Sequence, residues 1–335
     1  MKEMIRSLTE AFGPPGHEAG VRALVEDALR NRVDRLSTTS MGSLLAVRNP
    51  GAPLRVMLAA HLDEVGVIVS HVDARGFARL QPLGALEAEA CLGRRVRFAG
   101  GLSAVVGVED RMDRKRALTL EQLFLDFGPT HAGRGKARVG AIGAFQAQFA
   151  ERAGRVVAGN LSGRMGAAAL IEVLLRLKQT PHEVQCAFTS QQEVGNRGAL
   201  TAAYALDPHL ALTIAVSRAG DTPGGPRSPV NLGGGPALVV GEERTVSDPR
   251  LVDLLARRAK AARVPLQYAV TGAAAGEAAA IQPVRAGVPA ASLSIPCRYV
   301  HSASEMADLG DVEHCVRLLL EVLRRPIRLT ADAAG

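Results

Sequence analysis

The sequence predicts an α/β fold interrupted by a small β-barrel, and three features carry that prediction. From Leu161 onward, helical and strand patterns alternate; the first 65 residues share that character; between them lie short alternating segments set off by glycines and charged turns. Alternating strands and helices are the mark of a sheet covered by helices, whereas several short strands at close spacing suggest a small barrel. By texture the chain divides into a split α/β unit, residues 1–65 and 158–335, and an inserted barrel, residues 66–157. Its 335 residues exceed what one hydrophobic core usually organises, which favours this division.

Taken in order, residues 1–35 read as helical. Met4, Leu8 and Phe12 recur at helical spacing, a Gly-Pro-Pro-Gly break follows, and Val21, Leu24, Val25 and Leu29 resume the stripe. LLAVRN and LRVMLAAHLDEVGVIVSHV read as strands, with Pro53 in the turn between them. FARLQPLG, RRVRFAG, SAVVGVED, LFLDFG and ARVGAIGAFQAQF supply the short strands of the barrel. GRMGAAALIEVLLRLK then reads as an amphipathic helix, and VQCAFTS and LALTIAV as buried strands. PRLVDLLARRAKAARV is a helix opened by Ser247-Asp248-Pro249, where proline suits the first turn. PAASLSIP is a strand, and DLGDVEHCVRLLLEVLRR closes the chain as a helix.

Composition narrows the function classes. Hydrophobic residues at 47% and charged residues at 22% are ordinary for a soluble globular protein. Cys91, Cys186, Cys297 and Cys315 lie far apart with no CxxC pair, so they read as buried thiols in a reducing cytoplasm. The amphipathic start MKEMIRSLTEAFG carries Glu3 and Glu10 and does not read as a signal peptide. No apolar run approaches the ~20 residues of a membrane span. Net charge is +7, yet only RMDRKR (Arg111–Arg116) is dense, aromatic residues are 3% and tryptophan is absent. Without stacking platforms a solvated loop is the better reading, and neither nucleic acid nor membrane is expected as a partner.

Three strand ends carry candidate chemistry. In AAHLDEVG (Ala59–Gly66), His61 ends a buried strand and Asp63 follows two residues on. Such a pair suits a metal ligand and the carboxylate that orients it; from this octamer alone a polar strand end with a surface salt bridge is an equal reading. TSQQEVGNRGA (Thr189–Ala199) offers Glu193 beside turn-forming Gly195 and Gly198, and IPCRYVHSASE (Ile295–Glu305) presents His301. Histidines and a glutamate at the ends of parallel strands form a plausible metal constellation.

Together with NLSGRMG and AGDTPG, these segments occur in the order and spacing of peptidase family M42, which the chain resembles nearly end to end. That family includes glutamyl aminopeptidases, tetrahedral aminopeptidases and proteins misnamed cellulase M. The opening LTEAFGPPGHEAGVRALVEDAL resembles its N-terminal helix. The resemblance implies a zinc-aminopeptidase-like (phosphorylase/hydrolase-like) three-layer catalytic domain with an inserted barrel, commonly assembled as a hollow dodecamer that trims small peptides. It also implies two metal ions bridged by an Asp, each held by a His and one further carboxylate, with a Glu as general base. By this resemblance His61 holds one ion with Asp63 behind it, and Glu193 and His301 hold the other.

The departures from the family pattern decide the functional reading. Ser162-Gly163-Arg164-Met165-Gly166 stands where the family has Asp-Asp-Arg-x-Gly, so the bridging Asp is Ser162. The general base falls on Gln192, and the first ion's other carboxylate, six residues before Asp221, falls on Ala215; neighbouring Val216 and Ser217 supply no carboxylate either. The family's Thr-Asp-Ala run corresponds to Gly276-Glu277-Ala278. A serine hydroxyl carries no charge at neutral pH and an amide has no basic site near neutrality. All three losses remove negative charge, as a pocket that no longer balances two dications requires. The expectation is an inactive or strongly impaired aminopeptidase homologue. It would bind at most one divalent ion (zinc, cobalt or manganese), weakly, or none, and would form a homo-oligomer able to hold small peptides. The alternative is an active hydrolase with a modified mononuclear site, for which Glu277, Asp221 and Cys297 are the nearest replacement ligands along the chain. A carbohydrate-active hydrolase is weaker, since the chain has three tyrosines and no tryptophan for sugar platforms.

Overall fold

The computed structural model describes residues 1–109, 117–128, 137–225, 228–272 and 276–329; the basic cluster Arg111–Arg116 lies outside them. Helices α1 (Lys2–Glu10) and α2 (Ala19–Leu29) precede strands β1 (Arg35–Thr38), β2 (Leu44–Arg48) and β3 (Arg55–His61). Next come β4 (Gly66–Val72), β5 (Ala78–Leu83), α3 (Ala88–Cys91), β6 (Arg95–Phe98), β7 (Ser103–Val108), β8 (Leu123–Asp126) and β9 (Ile142–Phe145). Then follow β10 (Ala150–Arg152), β11 (Arg155–Ala158), α4 (Met165–Arg176), β12 (Glu183–Thr189), α5 (Arg197–Leu206) and β13 (Leu210–Arg218). The chain continues through β14 (Ala237–Glu242), β15 (Thr245–Val246), α6 (Pro249–Ala262), β16 (Gln267–Val270) and α7 (Glu277–Ile281). It ends with β17 (Ala290–Arg298), β18 (Glu305–Asp308) and α8 (Leu309–Leu323).

The large sheet runs β1-β2-β12-β3-β13-β17-β18-β11-β10, with β14 attached to β17 and carrying β15 and β16. Its centre, β12, β3, β13 and β17, is parallel. Parallel strands are covered on both faces and so read as continuous apolar runs; β3 is buried from Val56 to His61. Helices α1, α2, α4, α6 and α8 cover one face over a core that includes Leu58, Ile171, Ile214 and Leu319. On the other face α5 and α7 close a smaller core of Met57, Ala202 and Ile281. This is the expected three-layer α/β architecture.

A separate closed barrel, β4-β5-β8-β7-β6-β9, has its own core around Val67, Phe98, Val106 and Leu125. Strands β10 and β11, which fall in the sequence segment assigned to the barrel, belong instead to the edge of the large sheet, where β11 pairs with β18 and β10 with β11. Pro249 is the first residue of α6, and the Asp248 carboxylate caps it by accepting from the Arg250 amide at 2.9 Å.

Candidate active site

The parallel strands β3, β12, β13 and β17 bring their C-terminal ends to one edge of the sheet, and Thr189 lies directly beside His61 in the register. Open α/β sheets bind ligands at such an edge because helices cover both faces and leave only the strand ends free. Every residue singled out above as a retained site position lies on one of these ends or in the loop that follows it.

Asp63 organises the cleft. It is fully buried, and its carboxylate accepts the amides of Gln192 (2.9 Å) and Glu193 (2.8 Å), tying the turn after β3 to the turn after β12. Its Oδ1 lies 3.5 Å from His61 Nδ1. Burial disfavours the His61 imidazolium, but Asp63, Glu193 and Glu277 outweigh it and raise the His61 pKa. For Glu193, burial dominates and pushes the carboxyl up to about 7, with His61 opposing.

Ser162 and His301 converge on a residue that sequence reasoning passed over. Glu305, at the start of β18 and 1% exposed, accepts the Ser162 amide (2.7 Å), the Ser162 hydroxyl (2.9 Å) and the His301 amide (2.6 Å). A glutamate four residues after His301 was visible in IPCRYVHSASE, but nothing in the spacing marks it as buried. His301 itself sits at φ 68°, in the left-handed region, and so do Tyr299, Gln191 and Asn196 in neighbouring loops. Non-glycine residues adopt this region at a cost of about 1–2 kcal/mol, so the turns that frame the cleft are imposed by their surroundings. The His301 pKa is lowered by burial and by the Arg218 charge, against a backbone hydrogen bond to Ala85.

Gly163 fills the space beside these groups. A Cβ there would lie 2.2 Å from the Asp63 carbonyl oxygen and 3.4 Å from His61 Cε1, so only glycine fits this close approach. Ala215 lies on β13, two residues beyond the Thr213–Ala59 pair at which the register with β3 ends, and opposite Ser294 of β17. Gln192 is half-buried, with its side-chain oxygen buried and without a partner among the described residues.

The three named replacement ligands fare differently. Asp221 is held by Arg298 through contacts of 2.8 and 2.6 Å, which lowers its pKa and commits both its oxygens. Cys297 is fully buried, and burial keeps its thiol well above its ordinary pKa. Glu277 lies beside the cleft at the start of α7. It is 2% exposed, accepts the Thr189 hydroxyl, and is pushed up to about 7 by burial against the pull of His61.

A second buried ion pair supports the cleft from behind. Arg164, wholly buried, meets Glu64 at 3.0 Å, and its remaining N–H groups reach the carbonyls of Leu8 (2.9 Å) and Leu62. Glu64 also accepts the Gly13 amide at 2.9 Å, so the N-terminal segment is tied to the loop that carries Asp63.

The model of the M42 glutamyl aminopeptidases matches residues 42–318. A putative aminopeptidase of Acetivibrio thermocellus is 31% identical over 96% of this chain and 98% of its own. The lysyl aminopeptidase of Pyrococcus furiosus is 30% identical over 96% and 97%. Among solved structures, a TET aminopeptidase from a marine sediment thaumarchaeon superposes with a TM-score of 0.92 at 30% identity, covering 96% of this chain and 95% of that one. The family model spans more than half of the chain, and these relatives match it nearly end to end. The chain therefore belongs to the M42 glutamyl aminopeptidase family.

Proposed function

We propose that this chain is a family member whose peptide-hydrolysing site no longer works, or works only feebly. The observation that carries the proposal is the triangle Ser162–Glu305–His301. At the position of the family's bridging Asp, Ser162 donates both its amide and its hydroxyl to Glu305. A hydroxyl that donates to a carboxylate is a poor stand-in for an anionic bridge. Gly163 packs against Asp63 and His61, and Ala215 brings only a methyl group to the C-terminal half of β13. This donor set does not fit two dications. When bound, the metals would supply Lewis acidity and an activated water, and Gln192, at the general-base position, cannot take that water's proton. The retained His61, Glu193 and His301 would hold at most one ion, weakly, with Asp63 as an orienting carboxylate.

Small peptides are the ligand class this reading favours, in a cytoplasmic homo-oligomer. Its support is the family membership and the 30% identity to a TET aminopeptidase. Among the described residues no helix is long and apolar enough to cross a membrane. One observation favours the mononuclear alternative: the Glu277 carboxylate interacts with His61.

Purified protein should hold no more than one zinc, cobalt or manganese per chain after dialysis. It should show no turnover of aminoacyl-nitroanilides above background with any of these ions. General-base loss alone accounts for about 10²–10⁴-fold. Ser162→Asp, Gln192→Glu and Ala215→Asp made together should raise metal uptake. Two tightly held ions in the unmodified protein, or family-like turnover abolished by a chelator, would reject the reading. Turnover that then failed in Glu277→Gln would establish the mononuclear one.

A further inference from the structure

A short segment of the barrel, Gly84 to Glu87, leaves β5 and reaches across to the strand-end cleft before α3 begins. Both of its ends are fixed in the barrel: Leu83 pairs with Gly66, and Ala88 and Cys91 are buried in the barrel core. The residues between them touch the other unit at successive points. Gly84, at φ 93°, lies so close to Glu193 that a Cβ would sit 2.6 Å from its Oε2 and 2.9 Å from Val65 Cγ1. The backbone of Ala85 hydrogen-bonds His301. Glu87 Oε1 lies 3.6 Å from Arg218 Nη2, at the end of β13.

We propose that Gly84–Glu87 is a latch over the cleft, seated on Glu193 and His301 and fastened by the Glu87–Arg218 ion pair. The inference rests on the reading of this cleft as the ligand site and adds how access to it is controlled. The hinge is built in, because the segment is short, carries a glycine in the left-handed region and is anchored at both ends. The fastening is weak by design of its surroundings: the Glu87 and Arg218 side chains are 70% and 55% exposed. Exposed pairs hold loosely and are screened by salt. The latch therefore opens readily, and a ligand reaches Glu193 and His301 by displacing the barrel segment rather than by entering an open groove.

The test is the rate at which diethyl pyrocarbonate labels His301, read by peptide mass mapping on the full-length protein, with exposed His209 as internal reference. Labelling is run at one pH, about 7.5, for every variant, above the ordinary imidazole range. Glu87→Ala should accelerate His301 labelling about two- to five-fold, the range expected for an exposed ion pair, and leave His209 unchanged. Gly84→Ala, which wedges the segment off Glu193 and Val65, should do the same without touching the pair. Raising salt should accelerate labelling in the unmodified protein and have no effect in Glu87→Ala. Wild-type His301 rates in both Glu87→Ala and Gly84→Ala would overturn the latch; should Gly84→Ala not fold, an unchanged rate in Glu87→Ala at low and high salt would do so. The labelling needs neither metal nor turnover, so its outcome is separate from that of the hydrolysis assay.

Discussion

Buried carboxylates dominate the cleft, and the stability of the protein should register them. Glu277 is 2% exposed and its carboxyl is pushed from 4.5 to about 7, mainly by burial. A carboxyl whose folded pKa is raised binds its proton more tightly in the folded state. Its contribution is thus complete below pH 4.5 and is lost as pH rises through about 7. At about 1.4 kcal/mol per unit, a ceiling of roughly 3 kcal/mol follows for this one group. Glu277→Gln keeps a partner for Thr189 but cannot ionise. Thermal unfolding should therefore show the unmodified protein losing stability between pH 5 and pH 8, and the variant losing visibly less; equal losses would show that Glu277 ionises without penalty. The placement of these residues was legible beforehand, because His61, Asp63, Glu193 and His301 all fall at strand ends or in the loops that follow. Glu305 was not legible. Its importance comes from burial and from three donors that meet only after β18 pairs with β17. The engagement of Asp221 was not legible either, since its partner Arg298 lies on a strand far along the chain.

At the scale of elements, α4 shows how tightly the cleft is backed. The helix packs on β3 and β13, and its Gly166 approaches so closely that a Cβ would sit 2.2 Å from the Ile214 carbonyl oxygen and 3.1 Å from the Ala60 side chain. Two effects compete in Gly166→Ala. Alanine improves helix propensity by about 1 kcal/mol, while overpacking a tight interior costs about 1–3 kcal/mol. The obstruction is backbone, which has no rotamer through which to retreat, so overpacking should win. A net loss of up to about 2 kcal/mol in urea unfolding is expected; a gain would mean that α4 can shift off the sheet. The periodicity of GRMGAAALIEVLLRLK revealed this helix but not its distance from the sheet. The same limit explains the elements the sequence left unnamed. Helices α5 and α7 are short and alanine-rich, and β15 is only two residues long. Strands β10 and β11 look like the barrel strands that precede them, and only the pairing of β11 with β18, and of β10 with β11, places them in the large sheet.

The whole molecule carries a net charge of +7 and a sequence pI near 9.7, while several large apolar side chains face outward. Val246 (71% exposed), Tyr268 (50%) and Val270 (75%) lie on β15 and β16, two of the strands that pair with β14. Exposed apolar side chains favour association, because burying them removes apolar surface from water. Like net charge on every copy opposes it, and that opposition acts through solvent over the Debye length. This length is about 30 Å at 0.01 M salt but about 3 Å at 1 M. Burial of apolar surface depends much less on salt over the same range. If the chain assembles as its family membership suggests, the balance should shift with ionic strength in one direction only. Light scattering at micromolar concentration should find a homo-oligomer at 0.5 M salt and a larger dissociated fraction at 0.01 M. Interface ion pairs, by contrast, would weaken with salt and give the reverse order. A strict monomer at both salt concentrations would exclude self-assembly, and dissociation on raising salt would show that charge pairs rather than apolar surface hold the copies together.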